Sequence, residues 1–225
     1  MTLALTVIIP TLNEEKNIGD LCRSILALHQ EIDILVVDDG STDKTQEIVK
    51  EFSQRVKLLD RTDESMHGLS ISVFDGIKLS TNEYFMVIDG DFQHPPESLL
   101  DALKCTKNSP DLIIGYRIKV EHWPISRKMM SKVATLLAKF SLLIRRKPIP
   151  RDVMSGFFGG KREFILQYLS ADALKPKGYK ILFDLLKLIP KQSIICEFPY
   201  TFKNREFGVS KIGKTHIIEF FKSLF

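Results

Sequence analysis

The residues of this chain best suited to chemistry are Asp89, Asp91 and Gln93, in the run Asp89-Gly90-Asp91-Phe92-Gln93-His94-Pro95-Pro96-Glu97. Two carboxylates and an amide carbonyl are hard oxygen donors, and they suit Mg2+ or Mn2+ holding a diphosphate. The apolar run Tyr84–Ile88 comes just before and reads as a buried strand. The acids then stand at its carboxyl end, where ligands bind in open α/β sheets. Pro95-Pro96 stops the strand and starts a helix. A polar loop capping a helix would look similar, so the company this run keeps decides its meaning.

Two other predicted strands end in comparable groups. Ile34–Val37 runs into Asp38-Asp39-Gly40-Ser41-Thr42-Asp43. Asp-Gly makes a turn, and Ser41 or Thr42 can cap the helix that follows. A turn needs one acid; the second, Asp39, suits a ribose hydroxyl or a base edge. The first strand, Leu5–Ile9, ends at Pro10, followed by Thr11-Leu12-Asn13-Glu14-Glu15. Pro10, Leu12 and Glu14 are candidates to touch a nucleotide ring. Asn13 can cap the next helix with acids in its first turn, and that local role alone accounts for Asn13 and Glu15.

These groups need a scaffold. Further strands are expected at Val56–Leu59 and Leu112–Ile114, and helices at Glu14–Leu28, Thr42–Phe52, Leu69–Lys78 and Glu97–Lys107. Strand-helix alternation predicts an α/β fold with a mainly parallel sheet covered on both faces. The second half loses this rhythm. It offers helices at Ser126–Arg145, Arg162–Leu169 and Lys180–Leu188, a strand at Ile194–Phe198, and a last helical stretch from Thr215 to Phe225. The chain reads as one domain, 1–225, with a nucleotide-binding half (1–120) and an acceptor-facing half (121–225).

Composition agrees: 225 residues, 44% hydrophobic and 27% charged, can bury a sizeable core. A net charge of +4 is too small to argue for nucleic acid. Cys22, Cys105 and Cys196 are widely spaced, form no metal motif and suggest no disulfide framework, so a reducing cytoplasm is expected. No run reaches the roughly 20 apolar residues of a spanning helix. The five His show no metal spacing, and His94 reads as structural.

Together the three acid-rich motifs resemble family 2 glycosyltransferases of the GT-A fold. The acid motif is most similar to the polyprenyl-phosphate group, in particular the archaeal dolichol-phosphate mannose synthases. The resemblance continues through Gly115-Tyr116-Arg117, Arg127 with Ser131, Asp152-Val153-Met154-Ser155-Gly156-Phe157, Gly178-Tyr179-Lys180 and Arg205-Glu206-Phe207-Gly208-Val209-Ser210-Lys211. It covers almost the whole chain. The chain departs from the pattern where Leu12 replaces Tyr, Gly90 replaces Ala, and Leu69-Ser70-Ile71-Ser72 replaces a Gly-rich stretch.

The resemblance implies an inverting transfer of mannose from GDP-mannose to dolichyl or another polyprenyl phosphate. Asp91 and Gln93 would hold Mg2+ or Mn2+, and Asp89 would hold the sugar or support the metal. Pro10, Leu12, Glu14, Val37, Asp39 and Gly90 would contact the nucleotide sugar. Arg205 and Lys211 would close over the diphosphate. Arg117, Arg127 and Ser131 would bind the lipid phosphate, already a nucleophile near neutral pH, so no strong general base is required. Asp152 could orient a sugar hydroxyl or an Arg. Transfer from a UDP-sugar and an inactive, partner-binding subunit remain alternatives. Binding to the cytoplasmic face of a membrane is expected through the basic end of Ser126–Arg145 and through Ile217, Phe220, Phe221 and Leu224. That last stripe fits packing on the protein's own core equally well. A membrane-anchoring partner is a further possibility.

Overall fold

A computed structural model describes residues 4–52, 54–121, 124–170, 180–204 and 224. Its strands are β1 (Leu5–Thr11), β2 (Ile32–Asp38), β3 (Val56–Asp60), β4 (Tyr84–Val87), β5 (Leu112–Val120), β6 (Phe158–Lys161) and β7 (Ile195–Phe202). The α-helices are α1 (Ile18–Leu26), α2 (Thr45–Lys50), α3 (Leu69–Leu79), α4 (Leu99–Cys105), α5 (Ile125–Ile144), α6 (Arg162–Tyr168) and α7 (Ile181–Leu188). One seven-stranded sheet runs β3-β2-β1-β4-β6-β5-β7. Strands β3, β2, β1 and β4 are parallel, β6 lies antiparallel between β4 and β5, and β7 pairs parallel with β5. The mainly parallel sheet is as expected, and strands from both halves of the chain share it.

Burial explains the order. β1 and β2 are apolar and buried on both faces, the pattern of central parallel strands. α1 covers one face with Ile18, Leu21, Cys22 and Ile25 at helical spacing. α3 covers the other and is buried almost all round. A β-carbon at Gly76 would stand 2.7 Å from Ile8 Cγ2, so glycine lets α3 approach β1 closely.

The structure corrects several expectations. β1 continues through Pro10 to Thr11, and Pro10 pairs in register with Val37. β5 and β7 are longer than their apolar runs because they pair with each other along their length. β6 was not expected at all. Its core is Gly159-Gly160, and a β-carbon at Gly159 would meet Phe85 O at 1.9 Å. Glycine is required for that approach, and it also hides the strand from its sequence. Cys105 and Cys196 form a disulfide joining the end of α4 to the start of β7, so only Cys22 is a free, buried thiol among the described residues. The argument from free cysteines to a reducing compartment falls with it. The expected helix from Thr215 lies outside the described residues except for Leu224. That residue is 1% exposed in the core, and its carbonyl accepts from the Ser141 hydroxyl of α5.

Candidate active site

The strand order puts the carboxyl ends of β2, β1 and β4 side by side. This is the edge at which an open α/β sheet binds ligands. The β1 and β2 loops are stitched together. Asn13, at φ 54°, donates its N–H to Ser41 Oγ at 2.7 Å and accepts the Thr42 N–H at 2.8 Å. Glu14 N–H reaches Thr45 Oγ1 at 2.8 Å, and Glu15 N–H reaches Asp43 Oδ2 at 3.1 Å. Asn13, Ser41 and Thr42 therefore do not cap their own helices as expected; they cap the neighbouring loop. Glu14 keeps Asn17 through its carboxylate and lies beside Gly90, whose β-carbon position is 3.5 Å from Glu14 Cγ. Leu12 is half-buried. Val37 points into the core against α3, so only its main chain can face a ligand.

The two acids after β2 divide their work. Asp38 is fully buried and takes hydrogen bonds from Thr11, Ser41 and Gln46, so it is the acid of the turn. Asp39 stands farther out and is gripped by Arg61. Its other oxygen accepts the Gly68 N–H at 2.7 Å, and the His67 ring lies 3.2 Å away. Arg61 is 2% exposed and also binds Asp75, Ser72 and the Met66 carbonyl. One serine of the stretch that replaces a Gly-rich pattern thus serves this cluster: Ser72 links Arg61 to the Gly68 carbonyl. Sequence reasoning missed Arg61, since a single arginine between two elements carries no signal of its partners.

After β4 the chain delivers the acid motif. Asp91 is only 3% exposed and accepts the Gln93 N–H at 3.1 Å. Gln93 is clamped to Lys203 beyond β7: its carbonyl accepts the Lys203 N–H at 3.0 Å, and its amide nitrogen donates to the Lys203 carbonyl at 3.3 Å. That bond orients the amide so that its oxygen is the atom available to a cation. No three His, Cys, Asp or Glu side chains come together among the described residues. Asp91 and Gln93 bring a carboxylate and an amide carbonyl, the hard oxygen donors that a divalent ion takes. His94 is buried beside these acids. Its Nδ1 accepts the Asp89 N–H, and burial pushes its pKa down to about 4.

Across from these acids lies a cluster of cations. Arg117 on β5 binds Asp152 through two hydrogen bonds of 2.6 and 3.0 Å. Burial alone would raise the Asp152 carboxyl, but the bonds and charge of Arg117, with the Met154 N–H, hold it below its usual range. This settles whether Asp152 contacts an Arg: it does. Lys180, not singled out as a site residue from sequence, donates to the Met154 carbonyl at 3.2 Å. Burial and then the Arg117 charge push its pKa down to about 8, with Arg127 adding to the effect and Asp152 and Asp89 opposing it. A groove of about 630 Å³ opens beside the cluster between β5 and α5. Arg117, Ser131 and Asp152 line it with Lys128, Lys132 and Leu136. Arg127 stands exposed one turn before Ser131. Arg205 and Lys211 lie outside the described residues.

The fold and this edge define an α/β protein with its candidate site at the carboxyl end of a mainly parallel sheet. Residues 6–169 match the profile of Glycosyl transferase family 2, and the chain belongs to that family. It is 37% identical over 99% of its length to the dolichol-phosphate mannosyltransferase of Pyrococcus furiosus, and spans 63% of that relative. It is 32% identical to the polyprenol monophosphomannose synthase of Mycolicibacterium smegmatis, covering 95% of this chain and 82% of that one. With the dolichol-phosphate mannosyltransferase of Saccharomyces cerevisiae it shares 29% identity, over 100% of this chain and 86% of the yeast one. The crystal structure of glucosyl-3-phosphoglycerate synthase from Mycobacterium tuberculosis with Mn2+, UDP and glucosyl-3-phosphoglycerate superposes with a TM-score of 0.66. That match has 18% identity and covers 92% of this chain and 74% of that one, which establishes the shared GT-A fold. The same enzyme has also been crystallised with Mg2+ and UDP.

Proposed function

We propose that this chain transfers mannose from GDP-mannose to dolichyl or another polyprenyl phosphate at a membrane surface, with inversion at the anomeric carbon. One observation carries the reading: the acids and the cations share a wall. A β-carbon at Gly156 would stand 3.6 Å from Asp89 Oδ2, while Asp152, four residues earlier, holds Arg117. Groups suited to a sugar nucleotide and groups suited to a phosphate thus meet through the short segment Asp152–Phe157. The names of the three relatives agree with this pairing.

Asp91 and Gln93 would hold Mg2+ or Mn2+, which when bound neutralises charge building on the departing diphosphate. Asp89 orients the sugar. Asp39, fixed by Arg61, together with Pro10, Leu12, Glu14, Gly90 and the Val37 main chain, forms the nucleoside side. Arg205 and Lys211 complete the diphosphate site. Arg117, Arg127, Ser131 and Lys180 receive the acceptor phosphate and aim its oxygen at the anomeric carbon. Guanidinium forks match phosphate geometry. The phosphate brings its own nucleophilic oxygen, so binding and alignment supply most of the catalysis.

α5 supports the membrane setting. Between Glu121 and Asp152 the sequence has no acidic residue. Ile125, Met129, Val133, Leu136, Phe140 and Ile144 are exposed along the helix, and Leu136 is 69% exposed. No described helix is long and apolar enough to cross a membrane. An apolar stripe flanked by Arg127, Lys128, Lys132 and Lys139 suits peripheral binding to an anionic surface; a membrane-anchoring partner could share it.

The test is transfer from labelled GDP-mannose, UDP-glucose and UDP-GlcNAc to dolichyl phosphate, with Mn2+ or with EDTA. Metal-dependent label in the lipid phase from GDP-mannose supports the proposal. Transfer only from a UDP-sugar replaces the donor, and no transfer with any of them favours a partner-binding subunit.

A further inference from the structure

Asp89 is held from behind by the residue five positions on. Its N–H donates to His94 Nδ1 at 3.0 Å, and its carboxylate Oδ2 lies 3.6 Å from the same nitrogen. A ring nitrogen that accepts a backbone N–H carries no proton, so the neutral imidazole has its proton on Nε2. The ring is 1% exposed. It sits among Phe157, Tyr200 and Phe202, with centroid distances of 5.1, 5.5 and 5.6 Å. A β-carbon at Gly156 would stand 3.3 Å from its Cε1. Three segments therefore meet on one ring: the acid loop, the Ser155-Gly156-Phe157 turn and the end of β7. A loop that needed only an acceptor could use a small side chain. Here an acceptor and an aromatic wedge are combined in one residue directly behind the acid.

We propose that His94 is a positioning residue for glycosyl transfer: its Nδ1 fixes the Asp89 peptide, and its caged ring sets that acid at a constant distance from the acceptor-side turn. The proposal rests on the reading that Asp89 faces the donor sugar. Without the acceptor nitrogen the Asp89 peptide can rotate and carry the carboxylate with it. A displacement of about 1 Å in a reacting array can cost on the order of a hundredfold in rate. Asp91 and Gln93, which in the proposed reading hold the metal, are unchanged in variants of His94, so donor binding should change little.

His94→Phe keeps the ring in its cage and removes the acceptor. His94→Asn restores an oxygen near the place of Nδ1. Measured with the nucleotide sugar the native chain turns over, His94→Phe should lose on the order of tenfold to a hundredfold in kcat with little change in donor KM. His94→Asn should recover most of the rate. Native kcat in His94→Phe, or a folded His94→Asn as slow as a folded His94→Phe, overturns the proposal. Asp89→Asn run alongside separates the two readings. If it is as active as the native chain, the donor-site reading itself fails; if it is inactive while His94→Phe is normal, only the positioning role fails. Should His94→Phe not fold, the 15N spectrum of histidine-labelled native protein decides. Nδ1 unprotonated and Nε2 protonated is expected for the caged ring, and a proton on Nδ1 overturns the proposal.

Discussion

Asp152 receives two hydrogen bonds from Arg117, at 2.6 Å from Nε and 3.0 Å from Nη2, across 35 residues of sequence. Both side chains are largely buried. The pair fixes the plane of a guanidinium at the mouth of the groove between β5 and α5. It also joins β5 to the segment that carries Gly156 to Asp89. In the proposed role, an arginine that receives phosphate is thereby held in one orientation before any ligand arrives, which removes an ordering cost from binding.

Asp152→Asn should therefore be costly. It keeps the shape and removes the charge, leaving Arg117 buried without its counter-ion. Breaking a buried pair in this way costs about 3–5 kcal/mol. Urea unfolding at pH 7 should show a loss of that order. The folded-state carboxyl titrates below its ordinary 3.8. Its contribution is thus complete above 3.8 and fades only as pH falls through the lowered value. The gap between native and variant should stay constant from pH 7 down to about 5. A variant as stable as the native chain would show that the pair contributes nothing net.

Asp91→Ala should abolish transfer while the fold survives. Asp91 is buried in the loop after β4, where it accepts the Gln93 N–H. Loss of the carboxylate proposed to hold the cation should lower kcat by about a hundredfold or more. EDTA should have the same effect on the native chain, reversed by Mn2+ or Mg2+. Activity within a few-fold of native at saturating Mn2+ would remove Asp91 from the metal site.

Most of this edge was legible because apolar runs ending in acids are local patterns, and parallel sheets bring such ends together. What could not be read depended on distant partners. Arg61 became meaningful only when the β3–α3 loop folded back onto Asp39. Asn13 looks like a cap for its own helix, yet the N–H it accepts belongs to Thr42. Cys105 and Cys196 lie 91 residues apart and are joined because α4 and β7 pack together. β6 was lost because the glycines that fit it between β4 and β5 lower its strand propensity. Lys180 was legible only as the end of the Gly178-Tyr179-Lys180 motif, because the charges that surround it, Arg117, Asp152 and Asp89, come from distant parts of the chain.

Lys180 predicts a pH dependence in acceptor use. Burial, first, and the charge of Arg117, next, push its pKa down to about 8, with Arg127 assisting and Asp152 and Asp89 opposing. The charged amine therefore predominates below pH 8 and is lost as pH rises through that value. An anionic acceptor needs the charged form, so KM for the lipid phosphate should rise between pH 7 and 9. Lys180→Arg remains charged throughout and should flatten this limb. A native profile already flat over that range would take Lys180 out of the acceptor site.

The last prediction concerns how the chain meets its acceptor. A polyprenyl tail stays in the bilayer, so its phosphate reaches Arg117 only if the groove between β5 and α5 lies at the membrane surface. α5 is 20 residues long, about 30 Å of helix. It buries Ala138, Ser141 and Leu142 and exposes Met129, Leu136 and Phe140. Ser141 on that inner face donates to the Leu224 carbonyl. Leu136→Ser combined with Phe140→Ser should leave folding intact and sharply reduce co-sedimentation with anionic liposomes. Binding of the native chain should weaken as salt rises, because exposed charges are screened over about 10 Å at 0.1 M. Transfer to a short-chain, water-soluble polyprenyl phosphate should be spared in the double variant, while transfer to dolichyl phosphate in liposomes should fall. If native and variant proteins sediment alike, α5 is not the surface that meets the lipid, and delivery of the acceptor depends on another segment or a partner.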